Sequence, residues 1–431
     1  MKRFLLLLGL TTCTIMLPAQ TKSAKNSPPL AEAAPETQGF SAERLNRVDA
    51  MLQAAVAGGD IPGAVMLIAR NGKIVYWKAF GLADNQTRRP LKRDDIFRIA
   101  SQTKAITATA VMLLWEQGKF QLDDPISKYI PEFANPKVLK DFRYSDTTWT
   151  AEPARSEITI RQLLTHTSGI GYGVIDSDER FKLIYHKAGV TDLFTTEDIP
   201  IGESVKILAQ LPLHHQPGEK FTYSEGLDVL GYLVELVSGE PFDVFLQKHI
   251  FEPLGMADTY FYLPAEKAAR LVTVQQPDNG GWTRFPVTFY DTDYPIKGAK
   301  RFFSGGAGLS STARDYASFL QLYLNGGELN GKRLLSRTTV GFILSNQVGD
   351  LFSGDNTRGF GLAFDLINEK GAAKGGNASA GAFGWGGYFN TSYFADPQEH
   401  IIGVLMKQTQ GTVSDKTGSY MRQMIYQALD D

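Results

Sequence analysis

Strand-like runs stand at both ends of this 431-residue chain and leave its middle to helices. Near the start, residues 63–70 and 73–80 are apolar, β-branched or aromatic runs joined by Asn71-Gly72. Asn-Gly between two such runs is the strongest short-range hairpin signal, because both residues tolerate the positive φ of a type I′ turn. Comparable runs return late, at 359–366, 387–394 and 401–406, the last two joined by Asp396-Pro397-Gln398-Glu399-His400. The expected fold is therefore mixed α/β, of the α+β kind. One antiparallel sheet is built from both chain ends with flanking helices, and a mostly helical subdomain is inserted at about residues 105–280.

Helical patterns fit that scheme. Residues 41–57 open on a serine cap, Ser41, then place Leu45, Val48, Met51, Leu52 and Ala55 at helical spacing. From Ala105 to Trp115 the chain is apolar on nearly every face, which marks a buried helix, and Gly118 ends it. Further helical stretches start at Ile160 and Leu227, and a helical tail runs over 420–429.

The first twenty residues read as an export signal. Lys2 and Arg3 precede an apolar run that ends at Pro18-Ala19-Gln20, with Ala19 the small residue for cleavage. That run is too short for a transmembrane span. Expected boundaries are a signal peptide over 1–20, a polar tether over 21–40 and one domain over 41–431. The protein is thus expected in the periplasm or secreted. The single cysteine, Cys13, lies inside the signal, so the mature chain has no disulfide, thiol nucleophile or cysteine metal site. Lipidation at Cys13 is the minor alternative, since Thr12 poorly matches the small residue expected before a lipidated cysteine. A net charge of -2 with interspersed signs provides no basic patch, which argues against nucleic acid as a partner.

Ser101-Gln102-Thr103-Lys104 opens the buried helix. Side chains at i and i+3 share a helix face, so the amine can reach the hydroxyl. A serine needs a base to become a nucleophile, and a desolvated lysine can serve. At the start of a helix, orphan N–H groups and the dipole also favour developing negative charge. Two other stretches are chemically suggestive. Tyr223-Ser224-Glu225 follows the turn Pro217-Gly218 and opens a helix, and Gly384-Trp385-Gly386-Gly387 sits at the start of a late apolar strand. Taken singly, the first reads as a packing tyrosine and the second as a bulge or a close backbone approach.

In this order the three stretches resemble the signature of the serine β-lactamase and penicillin-binding-protein superfamily: Ser-x-x-Lys, Tyr-x-Asn, then Lys/His-Thr-Gly. The resemblance runs from about residue 41 to the C-terminus. It includes Leu163-Leu164-Thr165-His166-Thr167-Ser168-Gly169, Pro253-Leu254-Gly255-Met256 and Ser304-Gly305-Gly306-Ala307-Gly308-Leu309, which look like class C stretches. Two departures point toward the family VIII carboxylesterases. Glu225 replaces the motif's Asn, and Trp385-Gly386-Gly387 replaces Lys/His-Thr-Gly. In the family the basic residue of the third motif holds a substrate carboxylate. Losing a hydrogen bond to a charged group, worth about 1.5–3 kcal/mol, would weaken that recognition roughly 10–100-fold.

The resemblance implies a two-step acyl transfer. Ser101 attacks, Lys104 and Tyr223 share the general-base role, and the backbone N–H groups of Ser101 and Tyr388 form the oxyanion hole. Trp385, Gly386, Gly387 and Glu225 then contact substrate, with Glu225 disfavouring anions if ionised. The expected activity is a carboxylesterase for short-chain or aromatic esters. The alternatives are a β-lactamase or D-Ala-D-Ala carboxypeptidase, or a non-catalytic binding homologue. Small-molecule ester, β-lactam or peptide substrates are the expected partners. No cofactor is called for, and no metal, since His214-His215 lack a third ligand at suitable spacing. His166 is expected to bond its own turn, and Asp123-Asp124 to cap one. No Gly-x-Ser-x-Gly elbow occurs, against an α/β-hydrolase.

Overall fold

The computed structural model describes residues 27–375, 378–412 and 414–431. The expected signal peptide and Cys13 lie outside these residues. Nine strands form the main sheet: β1 (Ala31–Glu32), β2 (Gly63–Arg70), β3 (Lys73–Asp84), β4 (Arg89–Pro90), β5 (Arg358–Phe360), β6 (Asp365–Ile367), β7 (Phe383–Gly386), β8 (Ser392–Asp396) and β9 (Ile401–Met406). Their order is β1-β3-β2-β9-β8-β7-β6-β5, with β4 beside β3. Only the β1–β3 pair is parallel. The contact between β2 and β9 joins the two chain ends in antiparallel register, with Met66 opposite Leu405. At the β2–β3 turn Asn71 and Gly72 have φ of 53° and 75°, the left-handed pair a type I′ turn needs.

Five helices frame the sheet and the site: α1 (Ala42–Ala57), α2 (Thr103–Glu116), α3 (Gly226–Ser238), α4 (Ala313–Leu324) and α5 (Thr417–Tyr426). The Ser41 hydroxyl caps α1 by accepting the Arg44 N–H at 3.2 Å. Side chains alternate across the sheet. Ala64, Met66 and Ile68 face the α1 and α5 layer, while Val65, Leu67 and Ala69 face the large core that contains α2, α3 and α4. Covered on both faces, β2 is buried throughout and reads as a continuous apolar run.

The chain departs from the sequence expectations in three places. Leu30 and Phe40 are buried and β1 lies on β3, so residues 30–40 already pack on the domain although their composition is polar. The run 359–366 is two strands, because Ala363 takes a φ of 65° and Gly361 bonds back to the Phe364 carbonyl. The run 387–394 is also broken. A turn over 387–391, closed by Gly387 N–H to Thr391 O at 2.9 Å, places Trp385 and Gly386 at the end of β7 rather than at the start of a strand. Two hairpins, 137–153 inside the expected helical insertion and 275–284 at its end, have largely exposed strands that carry little apolar alternation. No helix among the described residues is long and apolar enough to cross a membrane.

Candidate active site

A strained turn delivers Ser101. The short strand Phe97–Arg98 pairs with Ser310–Ser311, and the chain then passes through Ala100, whose φ of 43° is unusual for a residue with a Cβ. Residues Ala100–Gln102 form a single 3-10 turn that runs into α2. The Gln102 N–H donates to the Ile99 carbonyl at 3.1 Å and closes it. α2 is buried from Thr103 to Leu114, as its all-round apolar pattern requires, and it carries Lys104 into the core at 2% exposure.

The Lys104 amine has three neighbours: the Gly306 carbonyl at 2.8 Å, the Tyr172 hydroxyl at 2.9 Å and Ser101 Oγ at 3.4 Å. Tyr223 meets it differently. Lys104 Nζ lies 4.6 Å from the Tyr223 ring centroid, and the buried Tyr223 hydroxyl has no hydrogen-bond partner among the described residues. In the resting site the amine, not the phenol, contacts the serine. The Tyr223 ring is wedged between Tyr172 at 5.4 Å, Trp385 at 5.7 Å and His166 at 4.7 Å.

Ser101, Tyr223, Trp385, Gly386 and Gly387 line one cleft of about 520 Å³. Gly387 has no room for a side chain: a Cβ there would stand 2.2 Å from Thr391 Oγ1 and 2.5 Å from the Ile99 carbonyl oxygen. Gly386 is less confined, its nearest neighbour being the Thr391 carbonyl at 3.2 Å. The Tyr388 N–H comes next on the same turn and donates to no acceptor among the described residues. Ser101 contributes an N–H from the first turn before α2, where such groups lack intrahelical partners.

Glu225, expected to contact substrate, is absent from the cleft lining. It is 3% exposed, and its Oε1 accepts the Gly173 N–H at 3.2 Å. Burial, reinforced by the neighbouring Asp192 and Asp228 carboxylates, pushes its carboxyl well above the ordinary range. The substrate contact expected of it is replaced by a contact to the 171–174 loop. His166 also differs from expectation. Its Nδ1 accepts the backbone N–H of Ser224 at 3.2 Å, so it braces the tyrosine motif rather than its own turn. Burial holds the ring neutral. His214 pairs with Asp176 and His215 with Thr222, and no cluster suited to a metal occurs among the described residues. Asp124 accepts the Gln121 N–H, and Asp123 forks with Arg161.

Several residues near the site carried no motif. Tyr172 was hidden in a Gly-Tyr-Gly stretch. Asp228 had one usable signal, an acid on an otherwise apolar helix. It accepts from the Ser304 hydroxyl at 2.6 Å and the Gly306 N–H at 3.2 Å, fixing the carbonyl that binds Lys104. The far wall of the cleft adds Arg358, Asp365 and Arg422. Arg358 forks onto Asp365, with Nε to Oδ1 at 2.8 Å. Among the described residues Arg422 forms no hydrogen bond or ion pair, and burial holds its guanidinium below the ordinary range.

Comparison with known proteins places this arrangement. The sequence matches the family described as Beta-lactamase over residues 48–426. Esterase EstB of Burkholderia gladioli is 32% identical, over 84% of this chain and 90% of its own. The N-acetylmuramyl-L-alanine amidase of Bacillus subtilis (strain 168) is 28% identical, over 92% and 88% respectively. The solved structure of EstCE1, described as a hydrolase with promiscuous acyltransferase activity, superposes with a TM-score of 0.77 at 28% identity, covering 89% of this chain and 99% of its own. The chain belongs to the beta-lactamase family and is a serine hydrolase of the β-lactamase and penicillin-binding-protein superfamily.

Proposed function

We propose that this protein is an exported carboxylesterase that hydrolyses short-chain or aromatic esters through an acyl-enzyme on Ser101. The observation that carries the reading is the contact of the buried Lys104 amine with Ser101 Oγ at 3.4 Å, beneath a cleft walled by Trp385. Ser101 Oγ attacks the ester carbonyl while its proton passes to the Lys104 amine. The oxyanion is met by the N–H groups of Ser101 and Tyr388, each such donor being worth about 10²–10³ in rate. The alcohol leaves with a proton relayed from Lys104 through the Tyr223 hydroxyl, which has no partner among the described residues to compete for it. Water then repeats the sequence on the acyl-enzyme. Trp385 gives the acyl group an aromatic wall. The basic and apolar first twenty residues support export.

The test is a panel of p-nitrophenyl esters assayed with the parent and Ser101→Ala. Turnover lost in the variant is the expected outcome; turnover retained would remove the reading.

One observation favours a second reading. Arg422 lines the cleft with its guanidinium 5.1 Å from the Phe394 ring centroid and no hydrogen-bond or ion-pair partner among the described residues, so a donor that bears a carboxylate, such as a β-lactam or a peptide terminus, has a cation to meet although Trp385 supplies none. A cephalosporin assayed beside the esters separates the two readings. Stable acylation of Ser101 by the cephalosporin that is lost in Arg422→Leu, with slow ester turnover, would favour the second.

A further inference from the structure

The loop from Gly171 to Val174 is held by side chains to an unusual degree. Four consecutive N–H groups each donate to a side chain: Gly171 to the Tyr185 hydroxyl at 3.1 Å, Tyr172 to Asp176 at 2.7 Å, Gly173 to Glu225 at 3.2 Å and Val174 to Asp192 at 2.9 Å. The Glu225 N–H also donates back to the Gly171 carbonyl at 3.1 Å. Gly173 has no room for a Cβ, which would stand 1.9 Å from Asp192 Oδ2. Three carboxyl groups in so small a volume cost free energy that the fold must recover elsewhere, unless a proton is shared among them. The loop presents one side chain to the site, Tyr172, which is 1% exposed, absent from the cleft lining and 2.9 Å from Lys104 Nζ.

Counting the amine's hydrogens gives this contact a purpose. A neutral amine has two N–H donors and one lone pair. With the Gly306 carbonyl and the Tyr172 oxygen each accepting one N–H, the lone pair is left for the Ser101 hydroxyl. Without the Tyr172 oxygen, the second N–H can turn to Ser101 Oγ and present a donor where an acceptor is required.

We propose that Tyr172 is a positioning residue that orients the Lys104 amine toward Ser101, and that Glu225 acts through the Gly173 N–H to keep Tyr172 in place. This rests on the reading of Lys104 as the base. Glu225 performs this task as a neutral acid: the same burial that raises its pKa leaves its proton to be shared with Asp192. The charged and titratable groups around it are Asp192, Asp228 and Asp176, the last bonded to His214, the tyrosines Tyr172, Tyr185 and Tyr223, and Lys104. Ionising Glu225 would set a second negative charge against Asp192 and loosen the loop.

The experiment measures kcat and KM from pH 5 to 10 for Tyr172→Phe, Glu225→Ala and Glu225→Gln, with Ser101→Ala as reference. The substrates are p-nitrophenyl butyrate and the anionic mono-p-nitrophenyl adipate, and rates are normalised by the p-nitrophenol burst, so that unfolded protein does not count. Tyr172→Phe is expected to lower kcat roughly 10–100-fold on both esters, with KM within about threefold, part of the 10²–10⁴ that a placed base contributes. Glu225→Ala should behave likewise. Glu225→Gln should recover most of the loss and flatten the alkaline fall in kcat. The inference is overturned if Tyr172→Phe keeps kcat within threefold, or if Glu225→Ala improves the anionic ester alone, which would make Glu225 a substrate-facing charge. Retained turnover in Ser101→Ala would instead remove the underlying reading of Ser101 and Lys104.

Discussion

Gly387→Ala tests how tightly the Ser101 turn and the end of β7 are set against each other. An alanine Cβ would stand 2.2 Å from Thr391 Oγ1 and 2.5 Å from the Ile99 carbonyl oxygen, where real contacts essentially never fall below 3.0 Å. The two clashes are not equivalent. Thr391 Oγ1 has no hydrogen-bond partner among the described residues and can rotate away. The Ile99 oxygen is backbone, and it accepts the Gln102 N–H that closes the turn carrying Ser101. It must retreat by at least the difference between 3.0 and 2.5 Å, about 0.5 Å, and the turn moves with it. The N–H groups of Ser101 and Tyr388 lie on the two sides of this gap, so their separation changes by a similar amount.

Misplacement by about an ångström can cost 10²-fold, and loss of one oxyanion donor costs about 10²–10³. The expected fall in kcat/KM on p-nitrophenyl butyrate is therefore roughly 10²-fold, close to 3 kcal/mol of transition-state stabilisation. Most of it should appear in kcat, because the ground-state ester does not need both donors. Gly386→Ala is the control: with 3.2 Å to its nearest neighbour it should lose less than about tenfold. Adding Thr391→Ala to Gly387→Ala separates the two clashes. Restored activity in the double variant would show that the threonine alone was responsible and would refute a role for the Ile99 carbonyl.

Glu225, Trp385 and Asp415 each give a further measurable outcome. Because the folded pKa of Glu225 lies well above that of an exposed glutamate, its stabilising contribution is complete below about pH 4.5 and is lost as pH rises toward the folded value, at up to ~1.4 kcal/mol per pH unit. Glu225→Gln should therefore gain melting temperature over the parent as pH rises, and an unchanged difference across pH 5–9 would contradict a raised pKa. Trp385→Ala removes a ring packed against Tyr223 and Phe360, and should shift the preferred p-nitrophenyl acyl chain to greater length; an unchanged chain-length profile would remove Trp385 from the acyl wall. Asp415→Ala leaves the buried Lys407 without its charge partner and should cost about 3–5 kcal/mol in urea unfolding. The same change frees the first turn of α5, where Lys407 also donates to Thr417 Oγ1 at 2.9 Å, so KM should rise through the cleft-lining Gly418 and Met421.

What could be read from the sequence divides along a physical line. Local chemistry was legible: the Asn71-Gly72 turn, the Ser41 cap, the buried α2 and the pairing of Ser101 with Lys104 all depend on residues within a few positions of one another. Strand limits at 361–364 and 387–391 were not, because left-handed residues such as Ala363 and Asn390 break the runs and only Asn advertises that conformation. The role of Glu225 was hidden for another reason. Its position in the Tyr-x-Asn motif suggested a substrate contact, but the side chain's direction is decided by a loop some fifty residues earlier, where Gly173 supplies the N–H it binds. A motif reports which residues stand near a site in the chain; it does not report which way a side chain faces once a buried polar partner is available. For an acid the preference is steep, since an unpaired carboxyl in this core would cost several kcal/mol, while a hydrogen-bonded and protonated one is tolerated. Glu225 therefore seeks the loop amide and Asp192 rather than the cleft. The charge that sequence alone would set against an anionic substrate is instead neutralised beneath the cleft, whose lining carries two cations, Arg358 forked onto Asp365 and Arg422 on a helix at the far end of the chain.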